Sequence, residues 1–318
     1  MRIPPIQLVP PARTLFLVGI SSLVASTWLI TSIALGASPV IAINQDAATA
    51  NVTGQALREH LSVLMGSGGN IGVLDGPDGL LLVDAGIAVS RPKIVAALSS
   101  ISTKPVRFLI NTHYHWDHTD GNEWLHAAGA TIIAHKNTLA HLSTATRVED
   151  WDYDFPASPI GARPTVLVTA AKTLSFDGQT INIGYYGPAH TDGDLSVYFV
   201  QADVLLTGDT YWNGYYPFID RDAGGSIGGM IRAAEANIKR AGDNTIVVPE
   251  HGPVARRADL VEYRDMLVTI RDSIASLKNS GKTLAEVIAA RPTSIYDDKW
   301  GGFVIDPAFF TRLVYATL

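Results

Sequence analysis

Apolar residues along this chain fall into two kinds of pattern, and the alternation between them outlines the fold. Leu61–Met65, 71–74 and 80–83 are short apolar runs separated by Gly66-Ser-Gly-Gly69 and Asp75-Gly-Pro-Asp-Gly79. Runs of that length between turn residues predict strands arranged as hairpins. Across 91–101 the period changes, with Ile94, Val95, Leu98 and Ile101 at helical spacing. A β-rich run at 106–110 follows, then a short helix at 121–127, a strand at 132–134 and another short helix at 137–142. A second β-rich half holds 166–168, 173–176, 180–186, 195–200, 204–207 and 245–249, interrupted by a helical stretch at 227–240. Beyond it Leu260, Tyr263, Leu267, Ile270, Ile274 and Leu277 repeat at three and four through 259–278. The stretch 283–290 opens on Thr283 with Glu286 behind it, a capping box. Two β-rich halves, each with its own helices, predict an α/β (αββα) sandwich: two packed mixed β-sheets flanked by helices.

The ends of this pattern say how the chain is organised. Residues 1–14 carry Arg2 and Arg13 and no acid, and 15–35 is apolar and uncharged. Ala34-Leu-Gly36 and Val40-Ile-Ala42 then offer small-residue cleavage signals. Residues 1–42 read as a secretory signal peptide or as an uncleaved N-terminal anchor, since 15–35 is just long enough to cross about 30 Å of hydrocarbon. Both readings export the remainder, to the periplasm or outside the cell, and make this segment the only expected membrane contact. Residues 43–56 read as a flexible tether and 57–318 as the folded domain. One stretch fits neither period: 147–164, where Trp151, Tyr153 and Phe155 alternate with acids before a run of prolines. It reads as a surface loop with packed aromatics, or as a flap lending an apolar wall to a site.

Composition narrows the chemistry. The 318 residues are 47% hydrophobic and 17% charged, enough to build one large domain or two small ones. A formal net charge of −6 argues against clamping a phosphate backbone, so a small molecule is the expected partner and nucleic acid is not. With no cysteine there is neither a disulfide nor a thiolate ligand, and any metal must be held by imidazole and carboxylate.

Those side chains are concentrated directly after the strand at 106–110, in His113-Tyr-His115-Trp-Asp117-His118. Residues 113 and 115, two apart in an extended segment, leave on the same side and can share one cation. Asp117 and His118, beyond a turn, can address a neighbouring position. Gathering three imidazoles and a carboxylate in one loop is costly unless a cation compensates them. Of the nine histidines, His60, His126, His135 and His141 read as ordinary, with His135, at a strand end, a candidate for supporting a ligand.

The motif His113-x-His115-x-Asp117-His118 resembles the signature loop of the metallo-β-lactamase superfamily, a large group of mostly dizinc hydrolases. Further family landmarks follow in order: His190 in Gly-Pro-Ala-His-Thr-Asp-Gly-Asp, Asp209 in Leu-Leu-Thr-Gly-Asp-Thr, and His251 in Val-Pro-Glu-His-Gly-Pro. An earlier one, Asp84, closes Leu-Leu-Leu-Val-Asp-Ala-Gly. The resemblance spans roughly 57–255 and implies that the domain at 57–318 is catalytic. It implies two Zn2+ per chain, with another divalent metal possible: His113, His115 and His190 on the first, Asp117, His118 and His251 on the second, Asp209 bridging. It implies hydrolysis of an ester, thioester, lactone or amide bond by a metal-bound hydroxide, with Asp117 orienting the nucleophile and Asp84 fixing the loop.

Two departures from the zinc β-lactamases stand out. Asp209 occupies a position held by Cys in the lactamases with the most similar ligand set, and Trp212 stands where they carry a substrate-gripping Lys. The resemblance therefore points to the broader hydrolase branch, with a β-lactamase, proper or weakly promiscuous, as an alternative. An iron-dependent persulfide dioxygenase is another, although seven candidate ligands exceed what one iron needs. A flavodiiron enzyme would have Glu where His115 stands, and a nuclease fits neither the charge nor the export. A non-catalytic binding module would be expected to have lost a ligand. The aromatic stretch from Asp209 to Asp220 reads equally as pocket lining or as packing.

Overall fold

The computed structural model describes residues 38–66 and 68–318. The apolar run at 15–35, on which the signal or anchor reading rests, lies outside the described residues. In chain order the strands are β1 (Thr53–Ala56), β2 (Leu61–Met65), β3 (Ile71–Gly76), β4 (Gly79–Val83), β5 (Val106–Ile110), β6 (Thr131–His135), β7 (Thr146–Val148), β8 (Tyr153–Phe155), β9 (Val166–Val168), β10 (Lys172–Phe176), β11 (Gln179–Tyr185), β12 (Leu195–Phe199), β13 (Val204–Leu206), β14 (Ile246–Val248) and β15 (Ala255–Arg256). The helices are α1 (Pro39–Thr49), α2 (Arg91–Ile101), α3 (Trp116–Thr119), α4 (Asn122–Ala127), α5 (Lys136–Ser143), α6 (Ile227–Arg240), α7 (Arg257–Asn279), α8 (Leu284–Ala289), α9 (Asp297–Trp300) and α10 (Pro307–Ala316).

One sheet runs β1-β2-β3-β4-β5-β6-β9 and the other β10-β11-β12-β13-β14-β15. Both are mixed: β4, β5, β6 and β9 pair in parallel, as do β13 and β14, while the hairpins are antiparallel. Side-chain alternation makes the layers. Leu81 and Val83 of β4 face inward with Ile110 and Ile133, against Ile183, Val197, Val204 and Leu206 of the second sheet. Leu80 and Leu82 point the other way, onto Ile94 and Leu98 of α2 and Leu125 of α4. On the far side Leu205 and Val247 pack on Met230 and Ala234 of α6 and on Leu260, Leu267 and Ile270 of α7. The predicted αββα layering is what forms. The capping box closes too, with Thr283 N donating to the Glu286 carboxylate at 2.9 Å.

Two local expectations are corrected. The stretch at 43–56 is not a tether, because Pro39–Thr49 is helical and held down. Val40 and Ala47 are buried, Ser90 Oγ donates to the Ala47 carbonyl at 3.0 Å, and Lys93 Nζ donates to that of Ala48 at 2.9 Å. Pro39 at the first helical position, with Ser38 capping Val40 N at 3.3 Å, starts the helix. Thr53–Ala56 then joins the first sheet as an edge strand, so packing begins well before residue 57. The segment at 147–164 is likewise more regular than its composition suggests. Its first part is a β7–β8 hairpin, turned by Asp152 in the left-handed region (φ +46°) and cross-linked by Arg147 to Glu149 and Asp154 at 2.8 and 3.1 Å.

Candidate metal centre

The parallel strands of both sheets end at the same edge, and the candidate ligands follow those ends. His113 and His115 leave β5, with Asp117 and His118 in the short helix α3 behind them; His190 follows β11, Asp209 follows β13 and His251 follows β14. All seven converge in two groups, His113–His115–His190–Asp209 and Asp117–His118–His251. In the first, His115 Nδ1 lies 3.0 Å from both His113 Nε2 and His190 Nε2, and Asp209 Oδ2 lies 3.1 Å from His190 Nε2. In the second, Asp117 Oδ1 lies 3.2 Å from His118 Nε2 and Asp117 Oδ2 lies 3.6 Å from His251 Nε2. Asp209 addresses both groups, because its other oxygen, Oδ1, lies 3.3 Å from His251 Nε2.

The outer nitrogen of each ring fixes which nitrogen is bare. His190 Nδ1 faces the Phe218 carbonyl at 2.8 Å and must donate, leaving Nε2 a lone pair. His115 Nε2 faces Asp220 Oδ2 at 2.9 Å, leaving Nδ1 bare. His113 Nδ1 meets Thr112 Oγ1 at 3.1 Å, whose own hydrogen goes to Asp84 Oδ2 at 2.7 Å, leaving Nε2 bare. Three imidazole lone pairs and a carboxylate oxygen thus point at one spot. In the second group His118 Nδ1 lies between Asp84 Oδ2 at 3.3 Å and Glu250 Oε1 at 3.2 Å. That leaves His118 Nε2 bare, and both it and Asp209 Oδ1 are buried with no hydrogen-bond partner. Converging acceptors without donors suit divalent cations, and the all-nitrogen-and-oxygen donor set suits zinc among them.

The electrostatics say the same from the other side. Burial and the neighbouring His118 push the His113 imidazole well below its ordinary value. Burial works against ionising Asp209 too, but His190 and His251 outweigh it and hold the carboxylate well below its usual range. For His118 burial opposes protonation, yet Asp117 and Glu250 raise it well above. Left to itself, the cluster balances its carboxylates with a proton on His118; a cation is the alternative balance.

Asp84 stands in the left-handed region (φ +66°), a conformation Asp tolerates better than most residues. From there its carboxylate accepts Thr112 N at 2.8 Å as well as the Thr112 hydroxyl, clamping the start of the signature loop. Two glycines allow the close approach. A Cβ on Gly69 would lie 2.3 Å from Glu250 Oε1 and 2.5 Å from His118 Cε1, and one on Gly208 (φ +57°) would press on Thr112 at 2.9 Å.

Three acids here escape a reading of the sequence by ligand spacing. Asp220 accepts His115 Nε2, Tyr114 Oη and, at 3.0 Å, Ala223 N. Burial raises a carboxyl, but these donors, His115 foremost, hold Asp220 at about 2. Glu250 sits beside a ligand in sequence, and burial plus Asp84 push it well above the ordinary range. Asp194 ties the His190 turn together by accepting His190 N at 2.7 Å and Thr191 Oγ1 at 2.6 Å, and burial lifts it to about 6. His135 joins none of these groups: it accepts Asn137 N at the start of α5 and stacks on Tyr185 at 4.1 Å.

Aromatic side chains roof the centre. Trp151 of the 147–164 segment is buried, 5.0 Å from the His115 ring and stacked on Phe218 at 4.4 Å. Beside it a cavity of about 170 Å³ opens along Tyr114, His115, Trp116, Leu142 and Phe155.

The family model described as the metallo-beta-lactamase superfamily matches residues 64–290. The "Metallo-beta-lactamase type 2" of Bacillus cereus is 27% identical over 196 residues, 61% of this chain and 71% of that protein. The "Linear primary-alkylsulfatase" of a Pseudomonas strain is 23% identical over 255 residues, covering 68% of this chain and 48% of its own length. Among solved structures, the inverting sec-alkylsulfatase Pisa1 from Pseudomonas superposes with a TM-score of 0.62 at 18% identity, covering 83% of this chain and 50% of that one. The chain thus spans about half the length of both alkylsulfatases, while more than half of its own positions fall within the family match. With the fold, the ordered ligand positions and this match in agreement, the chain belongs to the metallo-β-lactamase superfamily.

Proposed function

We propose that the protein is an exported dizinc hydrolase of an ester, thioester, lactone or amide. The observation that carries the reading is Asp209, one oxygen of which is turned to each group: Oδ2 lies 3.1 Å from His190 Nε2 and Oδ1 lies 3.3 Å from His251 Nε2. A carboxylate shared this way supports two cations rather than one. Bound there, zinc supplies Lewis acidity toward the scissile group and toward water. The chain's own part is positional. Asp117, at 8% side-chain exposure, lies toward the open side of the site and orients the attacking water. Asp84, through Thr112 and His118, keeps the loop rigid while charge develops.

The similarity to a lactamase and to alkylsulfatases supports hydrolysis as the reaction class. Trp212, its ring 4.3 Å from that of His251, stands where the resembling lactamases carry a substrate-gripping Lys, which favours an uncharged substrate over a carboxylated lactam. Elemental analysis of the full-length chain, followed on the same sample by a lactone, a thioester, a chromogenic lactam and a phosphodiester, tests the reading. About two zincs per chain with turnover of a lactone or thioester are expected, and Asp209→Ala should hold one zinc or none. One iron with oxygen uptake would overturn it in favour of a dioxygenase. Turnover confined to the lactam would make the protein a β-lactamase. Export rests on the basic and apolar N-terminus; an alkaline phosphatase fused after residue 318 is expected to be active, and an inactive fusion would place the enzyme inside the cell.

A further inference from the structure

Substrate must approach where the ligands are open. Side-chain exposure is 11% for His251 and 8% for Asp117, against 3% or less for the other ligands, so the second group faces the entry. Trp212 covers this side, its ring 4.3 Å from that of His251 and its backbone bridged to it. Phe303 lies next to both Trp212 and Tyr215, at 6.2 and 4.9 Å, and is 42% exposed. It comes from the chain after residue 290, beyond the family match. That segment is docked rather than loose: Tyr216 N donates to the Trp300 carbonyl at 2.7 Å, Tyr216 Oη to Asp297 at 3.0 Å, and Phe310 stacks on Tyr216 at 4.6 Å. A phenyl ring 42% exposed, on a docked segment and next to the Trp212 ring that contacts the open ligand, is a surface for an apolar group, since burying its face costs little ordering entropy.

We propose that Phe303, backed by Trp212, is a specificity-determining residue that seats an uncharged alkyl or aryl group of the substrate beside His251. This deepens the hydrolase reading and rests on it for the bond cleaved, but not for the binding. The first test compares thioesters with acetyl and octanoyl groups and reads the ratio of their kcat/KM values, which is insensitive to how much of each sample is metal-loaded. Wild type should favour octanoyl, Phe303→Ala should lower the ratio by roughly tenfold, and Ile295→Ala, 79% exposed on the same segment, should leave it unchanged. An unchanged ratio in Phe303→Ala overturns the proposal. The second test titrates octanamide calorimetrically. Weaker binding to Phe303→Ala by about fivefold supports the wall even if no ester is hydrolysed, in which case the hydrolase reading alone fails. Equal binding by both, or none by wild type, removes the wall.

Discussion

Asp220 shows at the level of single residues how a candidate ligand is prepared. His115 is useful to a cation only if Nδ1 is bare, and the acceptor that holds the hydrogen on Nε2 lies 105 positions away in the chain. Spacing finds His115, whose partners in the motif are two and three residues off. It does not find Asp220, whose role exists only once the stretch after Asp209 folds back over the loop. Glu250 escaped for the opposite reason: it is next to His251 in sequence, yet it turns to His118. Asp220→Asn replaces an acceptor with an amide whose nitrogen cannot face an N–H donor. Metal affinity should fall 10- to 100-fold by about the amount typical of such supporting partners, measured by competition with a chromogenic chelator. An acid titration provides a second reading. Because folding depresses the Asp220 carboxyl to about 2, its stabilisation is present above the unfolded value near 4 and is lost as pH falls through 2. The wild type should therefore lose about 2 kcal/mol relative to Asp220→Asn between those limits, seen as converging melting temperatures. Parallel curves would mean Asp220 does not hold this charge.

Among the elements, those with a strong period were readable and those made by tertiary contact were not. The helices at 227–240 and 91–101 form where their spacing predicts, because each buries one face against a sheet. The helix Pro39–Thr49 has only weak amphipathic character, two of its residues being buried, and it exists because Ser90 and Lys93 hold its C-terminal turn. The 147–164 hairpin depends on distant partners in the same way. Asp150, 8% exposed, is gripped by Arg221 at 3.0 Å and Arg312 at 3.3 Å, and Glu149 N donates to Asp222 at 3.2 Å. Trp151, one of the packed aromatics of this segment, then lies over His115 and against Phe218. Trp151→Ala should cost about 3 kcal/mol through the cavity it leaves, and should speed tryptic cleavage at Arg147 while the metal content stays near that of the wild type. Unchanged cleavage would show that the ion pairs alone hold the hairpin.

For the whole molecule, the centre is the place where two sheets are joined, so what fills it governs how the halves stay together. The metal-free chain has to balance Asp117, Asp209 and the rings with protons. Burial opposes a charge on His118, but Asp117 and Glu250 raise it well above the unfolded value, so its contribution is full below about pH 6.5 and is lost as pH rises through the higher folded value. Asp209, which His190 and His251 depress against the effect of burial, contributes above about pH 4 and loses that contribution in acid. The stability of the chelator-treated protein should therefore decline from about pH 6.5 toward pH 8. Metal binding has the opposite slope, because it needs bare imidazoles and releases protons. A metal at a thousand times its dissociation constant adds about 4 kcal/mol to stability, and the dissociation constant itself should tighten as pH climbs. The gap between the melting temperatures of the zinc-loaded and stripped proteins is accordingly expected to widen from pH 6 to pH 8. A gap that stayed constant or narrowed would mean that His118 is not protonated in the stripped chain, and that the carboxylates around it find their balance elsewhere.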